Sequence, residues 1–87
     1  MNCSVYFLYS EKWGRYYVGV SNDLEDRLAR HNSGQSLSTK GGIPWKIIHV
    51  IICESKSEAM SLETKIKKRG IIRFLNDNGI EGYNVPL

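Results

Sequence analysis

Tyr6, Tyr17, Arg27 and His31 fall close together near the start of an 87-residue chain. Together they offer two phenols, an imidazole and one fixed positive charge. A free phenol has a pKa of ~10, so only about one in a thousand is ionised at pH 7. A guanidinium within ~4–6 Å lowers the pKa of a neighbouring acid by ~1–3 units. Tyr6 or Tyr17 beside Arg27 could therefore take a proton, directly or through water. Each residue also has a plainer reading. The tyrosines could be sheet packing, Arg27 could pair with Asp23, and His31 could sit favourably at a helix C-terminus.

Those side chains meet only if the elements carrying them do. "SVYFLY" and "RYYVGV" are rich in β-branched and aromatic residues around "SEKWG", which ends in a turn glycine, and read as a β-hairpin. A two-residue loop at Lys12–Trp13, or a four-residue loop from Glu11 to Gly14, makes paired residue numbers sum to 25. Tyr6 then lies opposite Gly19 and Tyr17 opposite Leu8, with both tyrosines on one face. A three-residue loop would separate them. Gly19 would leave room beside Tyr6 for a ligand or a backbone.

"SNDLEDRLARHNSG" predicts a helix with Asn22 as cap and Glu25 completing a capping box. Leu24 and Leu28 form its buried pair, and Arg27 and His31 a second i, i+4 pair on an adjoining face. "GQSLSTKGGIP" is a polar loop, and "WKIIHVIICE" is a strand apolar enough to be central. "SKSEAMSLETKIKKRG" opens on a Ser55–Glu58 capping box and carries Ala59, Leu62 and Ile66 at helical spacing. "IIRFLNDNG" is a shorter helix stopping at Asn78–Gly79, and "IEGYNVPL" reads as extended. The order β-β-α-β-α-α predicts an α+β fold, a three-stranded antiparallel sheet flanked by helices.

The length predicts one domain over residues 1–87. No apolar run approaches the ~18–20 residues of a membrane span, and no secretory signal is visible, so the cytoplasm is the expected location. Cys3 and Cys53 are too few for a structural zinc site and read as reduced thiols, with Cys53 a small core residue. His49, in an apolar strand, reads as structural. A net charge of +3 tilts the chain towards a polyanionic partner. Lys65, Lys67, Lys68, Arg69 and Arg73 concentrate charge in "KIKKRGIIR", with Lys40 in "TKGG" as a further cation. They read either as a nonspecific phosphate rail or as a solvated face complementing a helix C-terminus.

A tyrosine on one strand, "YVG" on the next and Arg-x-x-x-His on the following helix resemble the GIY-YIG nuclease domain. "SVY" (Ser4–Tyr6) stands for the first tripeptide and "YVG" (Tyr17–Gly19) for the second. "HNSG", "TKGGIPWKI", "EAMSLETKIKK" and "GYN" follow in order, so the resemblance covers nearly the whole chain. It is similar to the small single-domain members rather than to long fusions. Ser4 replaces a glycine and valines replace both isoleucines, but no expected catalytic group is lost.

That resemblance implies an endonuclease that hydrolyses DNA phosphodiester bonds with one divalent ion, Mg²⁺ or Mn²⁺, held by Glu63. It implies Tyr6 as general base or water-orienting group and Tyr17 as its helper. Arg27 would contact the scissile phosphate, His31 assist proton transfer and Asn84 brace the site. One carboxylate suits a Mg²⁺ that keeps most of its waters and touches a substrate phosphate, and nothing resembles the clustered acids of a two-metal nuclease. On plainer grounds Glu63 would pair with Lys67. The alternative of another class is a nucleic-acid-binding module of the same fold that does not cleave. A protein partner supplying specificity is compatible with either.

Overall fold

The computed structural model describes residues 2–79. In chain order it has β1 (Cys3–Ser10), β2 (Arg15–Ser21), α1 (Leu24–Asn32), β3 (Trp45–Cys53), α2 (Lys56–Arg69) and α3 (Ile71–Asp77), with a 3₁₀ turn at Lys40–Gly42 before β3. This is the expected β-β-α-β-α-α order. The final "IEGYNVPL" lies outside the described residues, and Asn84 with it.

The hairpin closes through four residues, Glu11 to Gly14, and pairs Tyr6 with Gly19 and Leu8 with Tyr17. Gly14 takes a positive φ of 62°, a conformation that side-chain-bearing residues rarely adopt. The register is the one in which pair numbers sum to 25, so Tyr6 and Tyr17 share a face.

The three antiparallel strands run in the order β2-β1-β3. β1 is therefore central, and β3 is an edge strand despite its largely apolar run. A bulge between Phe7 and Leu8 in the β1–β3 pairing explains that run. It breaks the period-2 alternation, so that Ile48 and Ile51 pack on one side of the sheet and Ile47 and Val50 on the other. Ile52, near the end of the same strand, is 72% exposed.

Each face of the sheet carries its own core. Val5, Phe7 and Val18 pack with Ala59 and Ile66 of α2 and Leu75 of α3, and both cysteines are free thiols buried in this layer. The His49 ring lies against Phe7 here, centroids 5.7 Å apart, in keeping with a structural role. Tyr6, Leu8 and Trp45 form the opposite layer with Tyr17, Leu24 and Leu28.

Helix α1 departs from its expected cap. Asp23, not Asn22, accepts the N-terminal hydrogen bond, from Asp26 N at 3.0 Å. The reason is local. Ser21 Oγ accepts from Asp23 N and donates to the Asp23 carbonyl, both at 2.9 Å, which draws the chain into a turn and delays the helix by one residue. Leu24 and Leu28 are only half-buried, and the buried residue of α1 is His31. For α2 the expected cap holds: Ser55 Oγ accepts from Glu58 N at 3.1 Å.

Candidate active site

Tyr6 from β1, Tyr17 and Gly19 from β2, Arg27 from α1 and Glu63 from α2 line one cavity of 220 Å³. Gly19 and Val20, on opposite faces of the pleat, both contribute, so the cavity wraps the outer strand β2 where α1 and α2 approach it. Four elements thus converge on a single opening.

Gly19 serves the site differently from the expectation of open space. A Cβ at residue 19 would strike the Tyr6 hydroxyl and lie 2.5 Å from Cζ. The space opposite Tyr6 is filled by the Tyr6 ring itself, which folds over the glycine. Gly19→Ala should therefore destabilise the protein by ~1–3 kcal/mol through overpacking, because this ring is only 2% exposed and has nowhere to go. Urea denaturation measures this, and an unchanged midpoint would mean that the Tyr6 ring is free to move.

Tyr6 belongs to a buried hydrogen-bond chain. Thr39 Oγ1 donates to the Ser36 carbonyl at 3.4 Å and so has a lone pair for His31 Nδ1–H, 2.8 Å away. This network assigns the proton of neutral His31 to Nδ1 and leaves Nε2 as acceptor. Tyr6 O–H then donates to Nε2 at 3.1 Å. Thr39 and His31 are 1% and 3% exposed. The Tyr17 ring meets the His31 ring edge-on at 4.9 Å between centroids.

Burial governs the protonation of this chain. It pushes the Tyr6 phenol well above its ordinary value of 10, and Tyr17 and Glu63 add to the shift while Arg27 opposes it. Arg27 by itself therefore does not make Tyr6 acidic, because desolvation of the phenolate outweighs the guanidinium. His31 is held below 6.5 by burial first and by Arg27 second, which keeps it neutral near pH 7.

Arg27 makes no ion pair with Asp23 or any other described carboxylate; the neighbouring Arg30 pairs with Asp26 at 2.9 Å instead. Arg27 Nε is buried with no hydrogen-bond partner among the described residues. The guanidinium also borders a 290 Å³ cavity with Tyr17, Arg30 and His31, and a 300 Å³ cavity at the start of β1. Glu63 lies 3.7 Å from Lys67 Nζ, a loose pair in which the carboxylate side chain is 21% exposed and the lysine 60%.

The basic run does not form one free rail. Arg69 is held by Asp77 through two bonds of 2.7 and 3.1 Å, and Lys67 faces Glu63. Lys65, Lys68 and Arg73 are exposed and make no ion pair among the described residues. Lys40 opens the 3₁₀ turn and lays its stem along Gly34, 3.6 Å from where a Cβ would stand. The two glycines after it seat indoles: a Cβ at residue 41 or 42 would collide with Trp13 or Trp45. "TKGG" is thus largely architectural.

Lys56 and Met60 also line the Tyr6 cavity, and no motif marks them. Helical spacing does, since Lys56, Met60 and Glu63 stand at i, i+4 and i+7 on one face of α2.

The site can bind an anion through Arg27 and Lys56, accept a proton along Tyr6–His31, and present one hard carboxylate oxygen to a cation. The family profile described as the GIY-YIG catalytic domain matches residues 2–70. A UPF0213 protein of Streptococcus pneumoniae is 42% identical over 57 residues, which is 64% of this chain and 58% of that protein. The match thus spans less than two thirds of the streptococcal relative. A UPF0213 protein of Halobacterium salinarum is 41% identical over 56 residues, covering 63% of this chain and 73% of its own length. Among solved structures, the solution NMR structure of a UPF0213 protein from Bacillus halodurans superposes with a TM-score of 0.59 at 28% identity, covering 97% of this chain and 89% of that one.

Proposed function

The chain belongs to the GIY-YIG catalytic-domain family, a nuclease family, and from that premise we propose that it acts as a metal-dependent endonuclease on DNA. The observation that carries this reading is the convergence of Tyr6, Tyr17, Arg27 and Glu63, from four elements, on one cavity.

Glu63 fits a one-ion site. Among the described residues it is the only carboxylate lining that cavity, and its loose contact with Lys67 is easily exchanged. Among the described residues no cluster of three or more His, Cys, Asp or Glu side chains could hold a metal unaided. An ion here would thus draw its remaining oxygens from water and substrate, as Mg²⁺ commonly does. Such an ion would supply positive charge against the phosphate as it becomes more negative.

The chain's own residues account for the proton. Tyr6 gives its hydrogen to His31 Nε2, and its phenolic oxygen, which also meets the Tyr17 side chain, offers a lone pair to a water in the cavity. As that water attacks phosphorus, its proton passes to the Tyr6 oxygen while the Tyr6 proton passes to His31. A P–O bond to water forms, the P–O bond to the leaving nucleotide breaks, and that oxygen takes a proton from solvent. This concerted relay never requires a free phenolate where burial disfavours one. Arg27 balances the developing charge from the other side. Tyr17, edge-on to His31, fixes the imidazole plane.

Plasmid nicking with Mg²⁺ or Mn²⁺ across pH tests the relay. Neutral His31 is the acceptor, and its pKa lies below 6.5. Cleavage should hold through pH 6.5 and fall only below it, as the imidazole becomes charged. Tyr6→Phe, which keeps the ring, should remain folded and lose ~10²-fold or more in rate. Wild-type activity in the Phe variant, or an acid limb centred above 6.5, would remove Tyr6 and His31 from the mechanism.

A further inference from the structure

The 300 Å³ cavity shares Val20, Arg27 and Lys56 with the Tyr6 cavity and continues past Cys3 to Asn2, Ser21 and Asn22. No carboxylate among the described residues lines it. Its walls bring two cations and two side-chain amides, Asn2 and Asn22, that make no hydrogen bond among the described residues. The walls are otherwise largely apolar, and these polar groups suit an anion.

Lys56 is the informative residue. It is the first residue of α2, directly after the Ser55 cap. A cation there opposes the helix dipole, which favours acids in the first turn. Among the described residues it has no ion-pair partner that would offset this. A local choice that works against its own helix is expected where a side chain serves a ligand. Arg27, bordering the same cavity, carries the buried unpartnered Nε.

Resting on the nuclease reading, we propose that this cavity seats the phosphodiester next to the cleaved one, with Lys56 as its cation and Arg27 spanning both phosphates. The substrate strand then crosses β2 at the start of the sheet, rather than following the lysines at the end of α2. Because the seat holds a neighbouring phosphate in ground and transition state alike, Lys56 contributes to binding more than to turnover.

Binding of a short duplex oligonucleotide without divalent metal, titrated between about 50 and 200 mM salt, reads the seat directly. Lys56→Ala should lower the slope of log K against log salt by about 0.9, one phosphate contact, and weaken affinity roughly five- to tenfold near 0.1 M salt. In Mg²⁺-dependent nicking it should raise KM by a similar factor and change kcat by less than about threefold. Lys56→Arg should restore both, and Lys56→Gln, which keeps the stem, should behave as Ala does. Lys12→Ala, in the hairpin turn at the far end of the sheet, should change neither reading.

An unchanged slope and KM in Lys56→Ala, with wild type nicking normally, would overturn the seat and leave the nuclease reading standing. A collapse of kcat at constant KM would also overturn it, by placing Lys56 at the cleaved phosphate. If wild type neither binds nor nicks, both readings fall.

Discussion

Arg27→Ala should lower the rate of DNA cleavage by about 10²–10³-fold, the usual consequence of losing ~3–4 kcal/mol of stabilisation from one preorganised contact to a transition state. The structure makes Arg27 well suited to such a role. It is half-buried, reaches three adjoining cavities, and no described carboxylate neutralises it. Its charge is held ready rather than spent within the fold. Folding should survive the change, because the buried Nε gives up no hydrogen bond when it goes. The residual activity carries a second signature. Arg27 is one of the two causes that hold the His31 pKa down, so removing it lets that pKa rise. The acid limb of the remaining cleavage should then move to higher pH. Single-turnover rates against pH measure both effects. Retention of more than about a tenth of wild-type turnover would contradict the role, since that is less than ~1.4 kcal/mol.

Glu63→Gln should abolish Mg²⁺-dependent cleavage, by ~10²-fold or more, while DNA binding stays level or tightens slightly. The amide keeps the size and hydrogen bonding of the carboxylate but removes the charge that a hard cation requires. Removing a negative charge beside a bound phosphate favours binding. The loose contact with Lys67 sets the stability cost, and a pair at i, i+4 is worth only ~0.2–0.5 kcal/mol. Parallel nicking, binding and thermal melts therefore separate three roles. An enzyme loses cleavage and keeps binding. A module that only binds shows no metal-dependent cleavage in either form. If Glu63 is no more than a surface partner of Lys67, cleavage persists and only the melt shifts. Undiminished cleavage in Glu63→Gln would remove the metal assignment and most of the mechanism with it.

The sequence alone was sufficient for most features that depend on near neighbours; the α1 cap is the exception, moved from Asn22 to Asp23 by the local turn that Ser21 makes. The sequence allowed hairpin loops of two, three or four residues, and the structure adopts the four-residue Glu11–Gly14 loop, which gives Tyr6 and Tyr17 the shared face that two of those loops predicted. Helical spacing sets Arg27 and His31 one turn apart, and the Ser55 cap starts α2 where the pattern says. The same spacing could have exposed Lys56 and Met60 beside Glu63, but an i, i+4, i+7 stripe carries no chemical signature until a site is known to lie beneath it.

Tertiary structure decided what depends on distant neighbours. Composition makes β3 look central, yet β1 is, because centrality is set by which edges pair and a bulge distributes the β3 side chains over both faces. Arg27 beside a tyrosine suggests an acidic phenol, whereas Tyr6 is less acidic than a free one. Its charge state is fixed by how thoroughly the fold removes it from water, and no pattern of residue types states that. Periodicity fixes the direction in which a side chain leaves the backbone. Only packing fixes the dielectric and the partners that it meets there.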